Sequence, residues 1–128
     1  MNHEFQHMVN FNQKTVLHDL TSGQWYNEML SMLCEDMMQE HLGIKDEDSP
    51  KARTTVFNAY YYYSGISEYN SKNQICSYAT AFSFGSFIAR NFGGAELVQK
   101  ISKNSLVDND SITNAVNSLN GTKYLDWE

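Results

Sequence analysis

Apolar residues recur along the chain at helical spacing, and polar or glycine-containing stretches separate the sets. The first set follows Asn2, which can cap a helix, and fades near Lys14. The second runs from Ser22, another capping residue, to Gly43, a residue type that commonly ends helices. This second helix is predicted to run for about five turns. The apolar positions are Phe5, Met8, Val9 and Phe11 in the first helix, and Trp25, Met29, Met32, Leu33, Met37 and Leu42 in the second.

The middle of the chain has a weaker pattern. Residues 43–56 are rich in charge and predict a loop. Residues 56–65 carry β-favouring side chains without alternation, which predicts an irregular segment with one short helix. Four consecutive tyrosines at positions 60–63 are compatible with a ligand-binding wall, but aromatic packing over an edge of the core is the favoured interpretation.

Helical spacing returns in the last third of the chain. A helix is predicted from Ser77 to the Gly93-Gly94 pair. Two shorter helices follow, at about 94–104 and 109–119. Residues 122–127 have the composition of the beginning of another helix. The pattern as a whole predicts a mainly α fold.

Size and charge narrow the functional classes. A chain of 128 residues has the length of one domain, and 41% hydrophobic with 19% charged residues is typical of a globular protein. The net charge is −6, and the nine Lys and Arg residues are dispersed, so no basic face is available for nucleic acid. No apolar window reaches the length of a membrane span, and the first residues lack the pattern of a signal peptide.

The two cysteines, Cys34 and Cys76, lie far apart in the sequence. A pair this sparse does not form a disulfide framework, and neither residue has the spacing of a zinc knuckle. Two buried free thiols are therefore favoured over a single bridge.

The residues with the clearest chemistry form the motif His3-Glu4-Phe5-Gln6-His7. Histidines four residues apart lie on one helix face, where both imidazoles can reach the same ion. Glu4 follows the first histidine directly, a position from which it can take a proton from a water molecule on the metal. This HExxH pattern is typical of zinc peptidases. The alternative is a surface helix with two solvated histidines.

A catalytic zinc site needs a third protein ligand, and Glu28 is the candidate. It follows His7 by enough residues for the chain to turn and bring a second helix alongside the first. Glu35, two turns further along, and His18, in the predicted connection between the helices, are poorer candidates. A glutamate in an otherwise apolar helix segment also needs a partner, which zinc would supply. The alternative is an exposed glutamate on the polar side of the helix.

These two segments, 3–11 and 25–31, resemble the gluzincin metallopeptidases, and most of all the hyicolysin-type neutral metallopeptidases, which are secreted or cell-envelope enzymes acting on peptides or proteins. The resemblance implies that His3, His7 and Glu28 bind Zn²⁺ and that Glu4 is the general base. It also implies a helical zinc-binding subdomain of a gluzincin-type metallopeptidase, lacking most of the β-sheet subdomain that precedes this motif in the family. We expect a single unit over residues 1–128, cut at both ends.

A third segment, Tyr78-Ala79-Thr80-Ala81-Phe82, is similar to the helix of aminopeptidase-type gluzincins in which a tyrosine stabilises the oxyanion. Ala81 replaces a glycine of that pattern, and a tyrosine packed in the core is an equal alternative. In some gluzincins an acidic residue four positions after the third ligand supports a zinc-bound histidine, but that position is Met32 in this chain. Either another acceptor orients the imidazole or this support is weaker.

Two functional hypotheses follow. The first is a zinc-dependent peptidase in which Glu4 is the general base and Tyr78 binds the oxyanion. The second is a catalytically inactive helical remnant of such a peptidase, acting as a metal-binding or interaction module.

Overall fold

The computed structural model describes residues 2–120, and within that range its regular elements are all helical. This confirms the mainly α prediction. Six α-helices follow one another in this range: α1 (Asn2–Asn10), α2 (Gln24–Leu42), α3 (Arg53–Tyr60), α4 (Gln74–Phe92), α5 (Gly94–Lys103) and α6 (Asp108–Asn120). The helix expected over residues 122–127 lies outside the described residues.

Helix α2 is central to the packing. It packs against α1 and α4 and contacts α5. Its side chains Tyr26, Met29, Leu30 and Met32 are inaccessible to solvent. The hydrophobic core joins α2 to three other helices through Ala81, Phe82, Ile88, Ala89, Leu97, Val98, Ile101, Ile112, Ala115 and Val116.

The two ends of α2 differ in how well the sequence predicted them. The end at Gly43 is confirmed, because this residue takes the left-handed conformation (φ 65°) and its N–H donates to the carbonyl of Glu40. The predicted cap at Ser22 is wrong, since Gly23 precedes the first helical residue. The Ser22 hydroxyl instead donates to Oδ1 of Asn27 at 2.9 Å. It is therefore used to link the α1–α2 connection to the first turn of α2.

The apolar side predicted for α1 does not face the core. Phe5, Met8 and Phe11 are 60–67% exposed, whereas Gln6 and Asn10 are buried. The buried side of this helix is polar because Gln6 donates to the hydroxyl of Ser102 on α5, and Asn10 faces the polar groups of α2 described below. The hydrophobic pattern therefore predicted that α1 is a helix but oriented it wrongly.

The chain after α1 continues as a π-helical segment, Phe11–Val16, that buries Lys14 completely. The Lys14 Nζ donates to the backbone carbonyls of Ile101 and Asn104, both at 2.7 Å, and to Asn104 Oδ1 at 3.0 Å. Carbonyls at the end of a helix have no partners within the helix, so the lysine caps the C-terminus of α5. Burial lowers the pKa of Lys14 from its ordinary 10.5 to about 8.

The connection after α2 is more ordered than the predicted loop. It contains two 3₁₀ turns, Asp46–Asp48 and Pro50–Ala52, and α3 then begins at Arg53. The tyrosines at positions 60–63 comprise the last residue of α3 and the 3₁₀ turn after it. All four are exposed and pack against one another rather than over an edge of the core. The single short helix predicted in this region is confirmed.

Helix α4 ends at Phe92 and α5 begins at Gly94. Gly93 and Gly94 both have positive φ, 143° and 58°, which lets the chain change direction within two residues. Cys34 and Cys76 are free thiols, as predicted; Cys76 is buried and Cys34 is half-buried. None of the helices within residues 2–120 has the length and apolar character needed to cross a membrane.

Candidate metal centre

Helices α1 and α2 bring together three of the residues that the sequence singled out. The rings of His3 and His7 are stacked edge to face, with their centroids 4.7 Å apart. Nε2 of His3 lies 3.1 Å from Oε2 of Glu28, and Nε2 of His7 lies 3.7 Å from Oε1 of the same carboxylate. One nitrogen of each imidazole is therefore directed at Glu28.

This arrangement fits a zinc ion. Two ligands of a tetrahedral zinc, each about 2.0–2.1 Å from the metal, lie roughly 3.4 Å apart. The observed separations of 3.1 and 3.7 Å bracket that value. Among residues 2–120, His3, His7 and Glu28 form a group in which one potential ligand atom from each residue lies within 4.8 Å of the others. Two imidazoles and one carboxylate are a donor set found in catalytic zinc sites.

The environment of Glu28 also favours a cation. Its side chain is only 10% exposed, against 22% for His3 and 30% for His7. A carboxylate removed from water is costly unless it is paired or bound to a metal. The exposed-glutamate alternative is therefore wrong for Glu28.

The other nitrogen of each imidazole is also bonded to α2. Nδ1 of His7 lies 3.1 Å from the Ser31 hydroxyl, and Nδ1 of His3 lies 2.5 Å from Oε1 of Glu35. From the sequence, Glu35 was predicted only as a poorer ligand and Ser31 was missed. The signal was available, because residues 28, 31 and 35 are spaced to share one face of a helix.

Asn10 and Asn27 extend this contact one turn further. The side-chain amide of Asn10 donates to Oδ1 of Asn27 and to the Ser22 hydroxyl. Going along α1 from His3 to His7 and Asn10, the partners on α2 run backwards from Glu35 to Ser31 and Asn27. The two helices are therefore antiparallel, and polar contacts run along their interface.

Glu4 lies one residue after His3 and is exposed. Its side chain makes no hydrogen bond or ion pair with another residue in the described part of the chain. Its carboxylate is thus accessible to solvent, as a general base acting on water requires.

Tyr78 lies on α4, close enough to Glu28 for that carboxylate to affect its pKa, and is half-buried. Its hydroxyl and that of Tyr69 are hydrogen-bonded at 3.3 Å, and the guanidinium of Arg53 lies over its ring, 5.0 Å from the centroid. The hydrogen bond with Tyr69, partial burial and the negative charge of Glu28 raise the pKa of Tyr78 to about 12. The hydroxyl therefore keeps its proton at neutral pH, as an oxyanion donor must.

His18, the other alternative ligand, is exposed and does not belong to the group formed by His3, His7 and Glu28. Its Nδ1 is bonded to the carbonyl of Gln13 at 2.7 Å. An open groove of about 500 Å³ borders the metal centre on the His7 side. Its wall is mostly neutral and polar, formed by His7, Asn10, Phe11, Thr15, Thr21, Ser22 and Asn27.

The fold and this site together define a helical unit built around a candidate metal centre. The model of the peptidase M30 family matches residues 1–125, so the chain belongs to that family, the hyicolysin-type metallopeptidases. No curated protein and no solved structure matches the chain. The family match supports a peptidase function at the level of the family. The roles of the individual site residues stay predictions.

Proposed function

We propose that this chain is the zinc-binding unit of a gluzincin-type peptidase, with peptides or proteins as substrates. The observation that carries the proposal is the convergence of His3, His7 and Glu28 at ligand distances, on two helices of a metallopeptidase family member. Because the chain resembles secreted and cell-envelope enzymes of this type, we propose that this protein is also secreted or located in the cell envelope.

His3 and His7 would bind the zinc ion through Nε2, and Glu28 through its carboxylate. A zinc ion bound there supplies Lewis-acid polarisation of the scissile carbonyl and lowers the pKa of water. The three residues contribute a rigid arrangement, because the histidines are fixed on one helix and the glutamate is buried on the next.

Glu4 acts as the general base in this proposal. Its exposed carboxylate takes a proton from the attacking water and passes it to the leaving amine. Tyr78 donates a hydrogen bond from its hydroxyl to the oxyanion that forms as the water adds to the carbonyl. The raised pKa of Tyr78 keeps that proton in place throughout the neutral range.

A second candidate is an inactive remnant that binds metal or a partner protein. The exposed apolar side chains Phe5 and Met8 on α1 and Phe11 just after it favour this candidate, because exposed apolar surface commonly marks interaction sites. Peptide hydrolysis separates the two candidates.

Zinc content tests the metal site directly. The wild-type protein is expected to bind one zinc ion per chain, and His7→Ala and Glu28→Ala are expected to lose it, because each removes one of three ligands. His18→Ala is the matched control, since this exposed histidine does not belong to the ligand group, and it should bind zinc like wild type. Full zinc occupancy in His7→Ala would refute the assignment.

The zinc-loaded protein is then assayed with a mixture of fluorogenic peptides. Hydrolysis that is abolished by a chelator and restored by zinc supports the peptidase. A zinc-loaded, folded protein with no hydrolysis of any peptide supports the inactive remnant.

A further inference from the structure

We propose that Glu35 and Ser31 are the positioning residues of the metal centre: Glu35 orients the imidazole of His3, and Ser31 orients that of His7. The inference rests on the proposed zinc site. In some gluzincins an acidic residue four positions after the third ligand supports a zinc-bound histidine, but this chain has Met32 there. Glu35 and Ser31 would provide that support instead.

Glu35 holds His3 from the side opposite the metal centre. Its Oε1 lies 2.5 Å from Nδ1, while Nε2 of the same ring lies 3.1 Å from Glu28. An acceptor at Nδ1 fixes the tautomer with its proton on Nδ1, which leaves the lone pair of Nε2 free for the metal. The ring can then neither flip nor rotate without losing one of these two contacts.

Ser31 holds the imidazole of His7 in the same way, but through a neutral hydroxyl group. Its hydroxyl oxygen lies 3.1 Å from Nδ1 of His7, and the serine is completely buried in α2. Because Ser31 has a short side chain on a helix with a packed core face, its oxygen has few alternative positions. Nε2 of His7 is thereby directed at Glu28.

The register of α1 and α2 explains why Ser31 and Glu35 can contact the two histidines. Glu28, Ser31 and Glu35 follow one another at spacings of three and four, so they lie along one face of α2. That face runs antiparallel to His7 and His3 on α1. Met32 has no solvent exposure and belongs to the hydrophobic core, so the position that carries an acid in some gluzincins holds a packing residue in this chain.

The two supports are not equivalent. Glu35 offers a carboxylate, and its ion-pair partner within residues 2–120 is His3. A carboxylate acceptor raises the basicity of the imidazole more than a hydroxyl does, because charge-assisted hydrogen bonds are roughly twice as strong as neutral ones. We therefore expect Glu35 to contribute more to zinc affinity than Ser31.

Zinc affinity of the intact chain, measured by competition with a chromophoric chelator, tests the inference without reference to hydrolysis. Glu35→Ala is expected to weaken binding by about 10–100-fold, and Ser31→Ala by less. Glu35→Gln keeps an oxygen that can accept from Nδ1, so it should fall between Glu35→Ala and wild type. Glu40→Gln, on the exposed side of the same helix, is the matched control and should bind like wild type.

A second readout separates positioning from general stability. Cobalt(II) in the site gives visible absorption bands that report ligand geometry, and Glu35→Ala should shift or weaken them. The melting temperature of the metal-free protein should stay close to wild type, because half-exposed Glu35 has no part in the core.

The outcomes distinguish this inference from the zinc proposal itself. If His7→Ala loses zinc while Glu35→Ala, Glu35→Gln and Ser31→Ala keep wild-type affinity and cobalt spectra, the positioning role is refuted and the zinc site stands. If the wild-type chain binds no zinc, the proposed zinc site and the positioning role are both refuted. If Glu35→Gln lowers the zinc affinity and lowers the stability of the metal-free protein by the same free energy, Glu35 stabilises the fold and does not position His3.

Discussion

Gly85 of α4 lies directly against Met29 of α2. A Cβ atom on Gly85 would come within 2.5 Å of Met29 Cγ and 3.1 Å of Leu33 Cδ1. Both apolar partners are fully buried, so they have little room to withdraw. The absence of a side chain at this position therefore sets how closely α4 approaches the helix that carries Glu28.

Gly85→Ala is accordingly expected to destabilise the protein by about 1–3 kcal/mol, the usual range for overpacking a core. The better helix propensity of alanine offsets part of that cost, by about 1 kcal/mol. Urea unfolding measures the change. Gly65→Ala is the control, since its added Cβ would meet only the side chain of Glu68. Equal stability of Gly85→Ala and wild type would show that the two helices can separate at no cost.

Replacing Glu4 by Gln should leave zinc bound and remove hydrolysis in the active enzyme. The amide has the shape of the carboxylate but does not accept the proton of the attacking water. Zinc content and initial rates measured on one preparation report both effects. Glu96→Gln, an exposed glutamate on α5, should leave both unchanged. A Glu4→Gln rate within tenfold of wild type would mean that another group is the base.

Tyr78→Phe tests the oxyanion donor. The substitution keeps the ring beneath Arg53 and removes only the hydroxyl, so kcat should fall by about 10²–10³ while zinc content and KM barely change. Tyr61→Phe, at an exposed tyrosine, is the matched control. If Tyr78 is only a packed aromatic residue, the loss appears in thermal stability and kcat stays at the wild-type value.

The buried Lys14 predicts a pH dependence of stability. Its pKa is about 8 in the folded protein and 10.5 when unperturbed. Between these values the unfolded chain holds a proton that the folded chain has lost, so the free energy of unfolding rises with pH through this window. The contribution is fully present above about pH 10.5 and is lost as the pH falls through about 8.

The measurement compares urea unfolding of wild type and Lys14→Met at pH 7.5 and 9.5. The stability of wild type relative to the variant should increase at the higher pH. Lys45→Met, at an exposed lysine, corrects for the titration of other groups and should follow wild type. Parallel behaviour of wild type and Lys14→Met would contradict the lowered pKa of the buried ammonium.

The sequence by itself determined the helical class, the helix ends at Gly43 and Gly93, and the three residues that meet at the metal centre. These features depend on local chemistry: apolar spacing, the freedom of glycine to take positive φ, and ligand types in a short motif. Two histidines four residues apart share a helix face whatever surrounds them.

Tertiary structure alone decided the orientation of α1 and the support of its histidines. A hydrophobic pattern assigns the apolar side of a helix to the core. Helix α1 instead buries Gln6 and Asn10 and exposes Phe5, because its inner side meets polar groups of α2 and α5. The pairing of His3 with Glu35 depends on the antiparallel register of two helices that are separated by the segment Phe11–Val16 and a loop. That register is set by packing between residues distant in the chain, which spacing along one segment does not specify.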